Sequence, residues 1–372
     1  MADPRKTIVI ASVLNPVDDS RMYEKLGLTL AGSGKYNVHI VGHQAEAPPA
    51  AGLTSHAITP FARLSLRRLL APWRIFFIAL RVRPAIFVIE THELLLPAAV
   101  LKLFIRSKVI YDVRENYFWN ILYTTAFPLV LKPFVAFYVR GKETLFAPWV
   151  DHFLLAEKGY ERELRFPRKR YTIIENKVRV TPEERAQVKA LPSKETVNLI
   201  FSGTIAETTG VFTAIELAIK LHVIDDRIRL TIIGFSPQRK VLEKVRMLIQ
   251  PRAFIRLIAP INPVPHTEIF KHIGESDFGM ITYHINPSTM NSIPTKMYEY
   301  LGFHLPILLV NHKPWVDFCL PYAAAVVFDP LHYDAAVVYR EMIEHSFYSA
   351  EPSEVYWKTE EPRLLQVLSR LS

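Results

Sequence analysis

Cysteine is almost missing from this sequence: Cys319 is the single one. A lone thiol excludes an internal disulfide and a cysteine metal cluster, so the fold rests on its apolar core, and a reducing setting is expected. Glycine is scarce, at 13 residues, which leaves few loops able to bring backbone close to a phosphate. There are no internal repeats or low-complexity tracts. A short polar stretch precedes the apolar run Thr7–Val13 without a signal-peptide layout, and a cytoplasmic location is expected. Acidic residues are absent from Pro48 to Ile89, where Arg63, Arg67, Arg68, Arg74, Arg81 and Arg83 fall among Leu64, Leu66, Leu69, Leu70, Trp73, Phe76 and Phe77. That composition suits a basic amphipathic surface on anionic headgroups, the inner face of a membrane, as well as it suits a core helix with solvated arginines. No nucleic-acid motif accompanies the arginines, so the net charge of +9 is not read as a nucleic-acid surface.

What is present is a core-rich, folded composition. Half of the 372 residues are apolar and 22% are charged, and a chain of this length is expected to divide into two domains. Apolar strand-like runs alternate with helical stretches: Thr7–Val13, Val38–Val41, Ile86–Ile89, Lys108–Asp112, His152–Leu155 and Tyr171–Ile174. The alternation predicts a parallel sheet covered by helices on both faces. Residues Lys177–Thr196 turn polar, with Pro182 and Pro192 inside, and read as a linker. The alternation then restarts with Val197–Ser202, Ile228–Gly234, Phe254–Leu257, Phe278–Ile281, Ile307–Val310 and Ala325–Phe328. The fold class is α/β, two Rossmann-like α/β/α domains in tandem, closed by a helical segment over 362–372. Phe118–Val139 is largely apolar but holds Asn120, Lys132, Pro128 and Pro133, and reads as a buried helix or a hairpin of helices, with membrane embedding of its apolar end as the lesser alternative.

In such sheets ligands bind beyond the carboxyl ends of the strands, and between two domains the cleft is the natural site. Three polar loops follow strands of the first half: VLNPVDDSRMYEK with Asp18, Asp19 and Arg21, IETHELLLP with His92 and Glu93, and YDVRENYFWN with Arg114, Glu115 and Asn116. Asp18, Asp19 and Ser20 are also good helix caps. No nucleophile–base–orienter triad and no metal site with known spacing can be assembled from them. The stretch GSGK at 32–35 lies between a helix and a strand and reads as a plain turn. In the second half FSGTIAETTG, 201–210, runs from a strand to a helix start, with Thr208 and Thr209 as exposed caps, and can offer backbone N–H groups to an anion. In NSIPTKMYEYLG, Pro294 suits the start of a short helix and Gly302 the position past its end. Lys296 and Glu299 then share one face, as a phosphate and ribose site or as an exposed ion pair.

Taken together, these residues resemble the group 1, or family 4, nucleotide-sugar glycosyltransferases of the two-domain GT-B fold. The resemblance is carried by DDSR, YDVREN, FLLAEKGY, IIENKV, FSGTIAETTGVFTAIELA and, most specifically, SIPTKMYEYLGFHLPIL. It implies an acceptor domain over 1–176, a linker over 177–196, a donor domain over 197–360 and a C-terminal helix over 361–372 that can pack back on the first. It implies that Glu299 holds the donor ribose and that Gly203 and Thr204 approach the diphosphate. Lys296 would face the phosphates, within a donor segment that includes Asn291, Ser292 and Pro294, and Ile261 and Asn262 would lie at the base. Arg114 stands where many relatives have a histidine near the sugar; with His92, Asp19 and Arg21 it makes up the expected catalytic group. The first glutamate of the family's pair is replaced by Asn291, and the basic residue usual before Gly210 is Thr209, so Lys296 is expected to take over phosphate neutralisation. The implied activity is transfer of a hexosyl group from a nucleotide-diphosphate sugar to a glycan or lipid-linked acceptor in envelope polysaccharide or glycoconjugate synthesis, retaining and without metal or other cofactor. The alternatives are a sugar-nucleotide epimerase of the same fold and a non-catalytic nucleotide-sugar-binding peripheral membrane protein.

Overall fold

A computed structural model describes residues 5–45, 48–61, 65–124, 127–187, 195–260 and 264–371. The chain divides into two compact units, Met1–Arg179 with Trp357–Ser372, and Val180–Tyr356. In the first, β1 (Lys6–Pro16), β2 (Tyr36–His43), β3 (Leu53–Ile58), β4 (Ile86–Ile89), β5 (Lys108–Val113), β6 (His152–Leu155) and β7 (Tyr171–Ile173) form a parallel sheet in the order β3-β2-β1-β4-β5-β6-β7. Side chains of β1 alternate between two cores, Val9, Ala11 and Val13 facing one and Ile8 and Ile10 the other. One face is covered by helices α1 (Leu66–Val82), α2 (Leu95–Phe104) and α4 (Lys132–Phe146), with α3 (Tyr117–Tyr123) packed on α4. The other face carries the C-terminal segment, where Trp357, Leu364, Val367 and Leu368 share a core with Ile8, Ile10 and Val38. Trp357 Nε1 donates to Thr29 Oγ1 at 2.8 Å, and Lys177 pairs with Glu360 at 2.7 Å.

The second unit repeats the plan. Strands β8 (Val197–Thr204), β9 (Ile228–Phe235), β10 (Ile255–Ile258), β11 (Phe278–Ile281), β12 (Ile307–Val310) and β13 (Ala325–Phe328) lie parallel in the order β10-β9-β8-β11-β12-β13. FGMI and ILLV are buried at every position, as a strand covered on both faces requires. Helices α5 (Val211–Ile224), α6 (His266–Gly274) and α7 (Thr295–Gly302) bear on the site below, and α8 (Glu361–Leu371) closes the chain on the first unit. In each sheet the winding direction reverses once, between β1 and β4 and between β8 and β11, and such switch points open a crevice at the carboxyl ends of the flanking strands.

Several expectations need correction. The edge strand β3 escaped the hydrophobic pattern because LTSHAI is half exposed and polar. Lys177 and Val178 belong to the first unit rather than to a free linker, and the helical turn Pro182–Gln187 follows them. Within the segment Phe118–Val139 the helices Tyr117–Tyr123 and Lys132–Phe146 pack as a pair, but not a buried one: Phe134, Phe137 and Tyr138 are each at least 67% exposed. Among the described residues no helix is long and apolar enough to cross a membrane. Helix α7 includes Gly302 as its last residue, and His304 takes the left-handed conformation at φ +54°.

Candidate functional site

In the second unit, strand β8 delivers Gly203 and Thr204 to the switch point. Gly203 has φ +88°, a conformation that costs a residue with a side chain. A β-carbon there would sit 3.8 Å from Lys296 Cε and 3.9 Å from its Nζ, so the missing side chain leaves open space beside the ammonium. Thr209 is buried, and its Oγ1 donates to Thr204 O (2.8 Å) or Ala206 O (2.9 Å) and accepts from Ala206 N. It therefore ties the loop to itself rather than serving as an exposed helix cap. The cap position is Gly210, which has no side-chain cap. At φ +78° a β-carbon on Gly210 would lie 1.7 Å from the Thr282 carbonyl oxygen, which only glycine avoids. Thr282 Oγ1 donates to the Gly210 carbonyl at 2.8 Å. The start of α5, with its unsatisfied N–H groups, is thereby pinned beside the end of β11.

Helix α7 is locked to the same strand. Tyr300 OH lies 2.9 Å from Ser202 Oγ and accepts from Ser202 N at 3.2 Å. Its neighbour Lys296 is 5% exposed, and among the described residues its Nζ has no hydrogen-bond partner. The ammonium rests over the Phe201 ring at 4.3 Å and the Tyr283 ring at 5.1 Å. Burial lowers its pKa to about 8, against the opposing pull of Glu299. Glu299 Oε1 lies 3.2 Å from His266 Nε2. The picture of Lys296 and Glu299 as an exposed surface pair is thus overturned, because Lys296 and Glu299 are both buried. Pro294 is the residue before the first turn of α7, Ser292 O accepts from Trp315 Nε1 at 2.7 Å, and Asn291 is exposed at the end of the preceding turn. Ile261 and Asn262 lie outside the described residues.

In the first unit the ends of β1, β4 and β5 meet. Arg114 Nη1 bonds Asp19 Oδ1 at 2.8 Å and Glu90 Oε2 at 2.7 Å, and its Nη2 bonds Asp19 Oδ2 at 3.1 Å. Asp19 also caps the helical segment that follows β1, accepting from the backbone N–H groups of Arg21 and Met22. Arg21 stands behind this group. It is wholly buried, grips Asp112 through Nε and Nη2, both at 2.7 Å, and donates to Ile174 O. Its exposed surface is nil, so it positions Asp112 and does not touch a ligand. Three carboxyl groups face two guanidinium groups, and the excess falls on Glu90, whose carboxyl is pushed up by burial although Arg114 pulls it down. His92 is held neutral, since burial lowers its pKa to about 4. It packs edge-on against Tyr117, whose hydroxyl donates to the Glu90 carbonyl at 3.4 Å. Glu93 is taken by Arg68 at 2.6 Å.

The structure therefore brings Asp19 and Arg114 into direct contact, and Gly203 and Lys296 into another group with Glu299 one turn along α7. Sequence reasoning did not single out Glu90, Asp112, His266 or Tyr283. Glu90 and Asp112 had a readable signal, an ionisable residue at the end of an apolar strand run. Among the described residues there is no group of three or more His, Cys, Asp or Glu side chains arranged to hold a metal ion.

No family model matches this sequence, and no curated protein matches it. Solved structures do. Sucrose-phosphate synthase from Thermosynechococcus elongatus superimposes with a TM-score of 0.73 at 13% identity, over 99% of each chain. A UDP-forming α,α-trehalose-phosphate synthase from Burkholderia xenovorans gives 0.66 at 10% identity, again over 99% of each. Anabaena HepE in complex with UDP and glucose gives 0.66 at 10% identity, over 98% of this chain and 100% of the other. Two doubly wound parallel sheets of seven and six strands, matched over nearly the full length of these enzymes, show that this chain has the GT-B fold found among nucleotide-sugar glycosyltransferases.

Proposed function

We propose that the protein transfers a glycosyl group from a nucleoside-diphosphate sugar to a hydroxyl of a glycan or lipid-linked acceptor. The observation that carries this reading is Lys296: a buried ammonium with no acceptor among the described residues, set against the bare backbone of Gly203. A buried cation without a partner is costly, and an anionic ligand is the ordinary way to relieve it. The uncapped start of α5 adds a second source of positive potential for a diphosphate. Glu299, close by on α7, can accept both hydroxyls of a ribose, with His266 fixing its carboxylate. Neighbouring folds bound to UDP, or to ADP in the starch synthase IV catalytic domain of Arabidopsis thaliana, support a nucleoside diphosphate as the leaving group.

Chemically, the demand is to stabilise a departing diphosphate and a cationic sugar. Lys296 and the α5 N-terminus meet the first demand without a divalent ion in this reading. Glycosyl transfer then proceeds with retention, the leaving phosphate oxygen taking the acceptor proton. The acceptor binds at the first unit's strand ends, with Arg114 and Asp19 as the polar contacts and His92 as a neutral hydrogen-bonding group. The test is a thermal-shift panel with UDP, GDP, ADP, CMP, dTDP and their sugars, with magnesium or with EDTA. A ligand at 100 times its Kd adds roughly 2.7 kcal/mol of stability. One diphosphate that shifts the transition equally in EDTA supports the reading, and no shift with any of them overturns it.

A further inference from the structure

The outer face of α1, α2 and α4 is unlike the rest of the surface. Sixteen of the 29 large apolar side chains that stand exposed among the described residues fall on α1, α2 and the stretch Leu129–Trp149. Each offers on the order of 100 Å², so their sum far exceeds the few hundred Å² that soluble monomers commonly expose. The face is continuous: α1 packs on α2 and α2 on α4, and the Phe76 ring of α1 meets the Phe104 ring of α2 across the first joint. Its charge has one sign. Arg67, Arg74 and Arg81 are exposed on α1, no acidic residue occurs in α1 or α2, and the single one in Leu129–Trp149, Glu143, is buried. At the end of α4 a cavity of about 330 Å³ is lined by Arg165, Arg168 and Arg170 with Thr144 and Pro148.

We infer that this face docks on an anionic lipid bilayer, lying on the headgroups with Leu69, Phe77, Phe134 and Phe137 inserted among the acyl chains. Charge selects the occupant. A second copy of the same face would set arginine against arginine, whereas an anionic bilayer satisfies the arginines and buries the apolar side chains together. None of the three helices is long and apolar enough to cross the membrane, so the attachment is to one leaflet. The inference rests on the surface of the first unit and is independent of the donor site in the second.

The test is flotation of the full chain with phosphatidylcholine vesicles and with vesicles of phosphatidylcholine and phosphatidylglycerol at 7:3, roughly the anionic share that gives a biological surface potential. Binding to the anionic vesicles only, weakening with salt, is expected. Arg67→Gln with Arg74→Gln should weaken it roughly thirty-fold, from about 1 kcal/mol per basic residue at such a surface, and Phe134→Ser with Phe137→Ser at least roughly tenfold. These four side chains are solvent-exposed, so an unchanged circular-dichroism melt verifies the fold, and unchanged nucleotide thermal shifts keep this test apart from the donor reading. Failure to bind anionic vesicles, binding that the double variants leave intact, or a concentration-dependent dimer abolished by Phe134→Ser with Phe137→Ser would each overturn the proposal, the last in favour of a second copy.

Discussion

Replacing Lys296 with methionine removes the charge while keeping most of the volume, and the structure sets what should follow. Bringing an ammonium from 10.5 to about 8 costs the fold about 3 kcal/mol at neutral pH. Cation–π contact with Phe201 and Tyr283 offsets roughly 1–2 kcal/mol of that, and a thioether recovers part of the aromatic contact. Lys296→Met should therefore stabilise the ligand-free second unit by about 1–2 kcal/mol, raising its Tm by roughly 2–8 °C. The pH dependence has a definite sign. A lysine whose folded pKa lies below its unfolded value is deprotonated in the fold and protonated in the unfolded chain between the two. Stability of the unaltered protein then rises from pH about 8 toward 10.5, and the methionine variant should lack this rise. Diphosphate affinity moves the other way, falling above pH about 8 as the ammonium is lost. In the variant it should be weaker by about 2–4 kcal/mol, roughly 30- to 1000-fold, and flat with pH. Scanning calorimetry and titration calorimetry at pH 7, 8 and 9 measure both. A variant less stable than the parent that binds diphosphate equally well would refute the phosphate assignment and make Lys296 a packing residue.

Three further outcomes are expected. Glu299→Ala should raise the donor KM by more than roughly tenfold, the loss of charge-assisted hydrogen bonds to two hydroxyls; steady-state kinetics at an unchanged KM would exclude a ribose contact. Arg21→Met leaves Asp112 as an unpaired buried carboxylate and should destabilise the first unit by about 3–5 kcal/mol, whereas Arg21→Met with Asp112→Leu should recover much of it; denaturant melts of the single and double variants decide. Gly210→Ala forces a β-carbon into the Thr282 carbonyl and should abolish nucleotide binding together with cooperative melting of the second unit, while Gly32→Ala, which meets nothing within 4 Å, should leave both unchanged.

Much of the architecture was readable because parallel strands buried on both faces are near-continuous apolar runs. Ile86–Ile89, His152–Leu155, Phe278–Ile281, Ile307–Val310 and Ala325–Phe328 begin and end where the hydrophobic pattern puts them. The edge strand Leu53–Ile58 was hidden by the same physics, since an edge exposed to water tolerates threonine, serine and histidine. Lys296 and Glu299 were visible as a spacing on one helix. Whether they formed a surface ion pair or a buried site depended on what packs against α7, and that is set by Tyr300 reaching Ser202 in β8.

The sequence by itself determined the alternation of strands and helices, the two-unit layout and the strand-end loops, because these follow from local periodicity and from glycine and proline at fixed places. Only the tertiary structure decided which polar residues meet. Arg114 joins Asp19 and Glu90 across 95 and 24 positions of chain, Arg21 retreats behind Asp112, and Lys296 is left with bare backbone beside it. The apolar helix hairpin, readable as core, faces outward for the same reason. Hydrophobic periodicity reports that a face is apolar, but which apolar face is covered depends on how many helices one side of a sheet can bury.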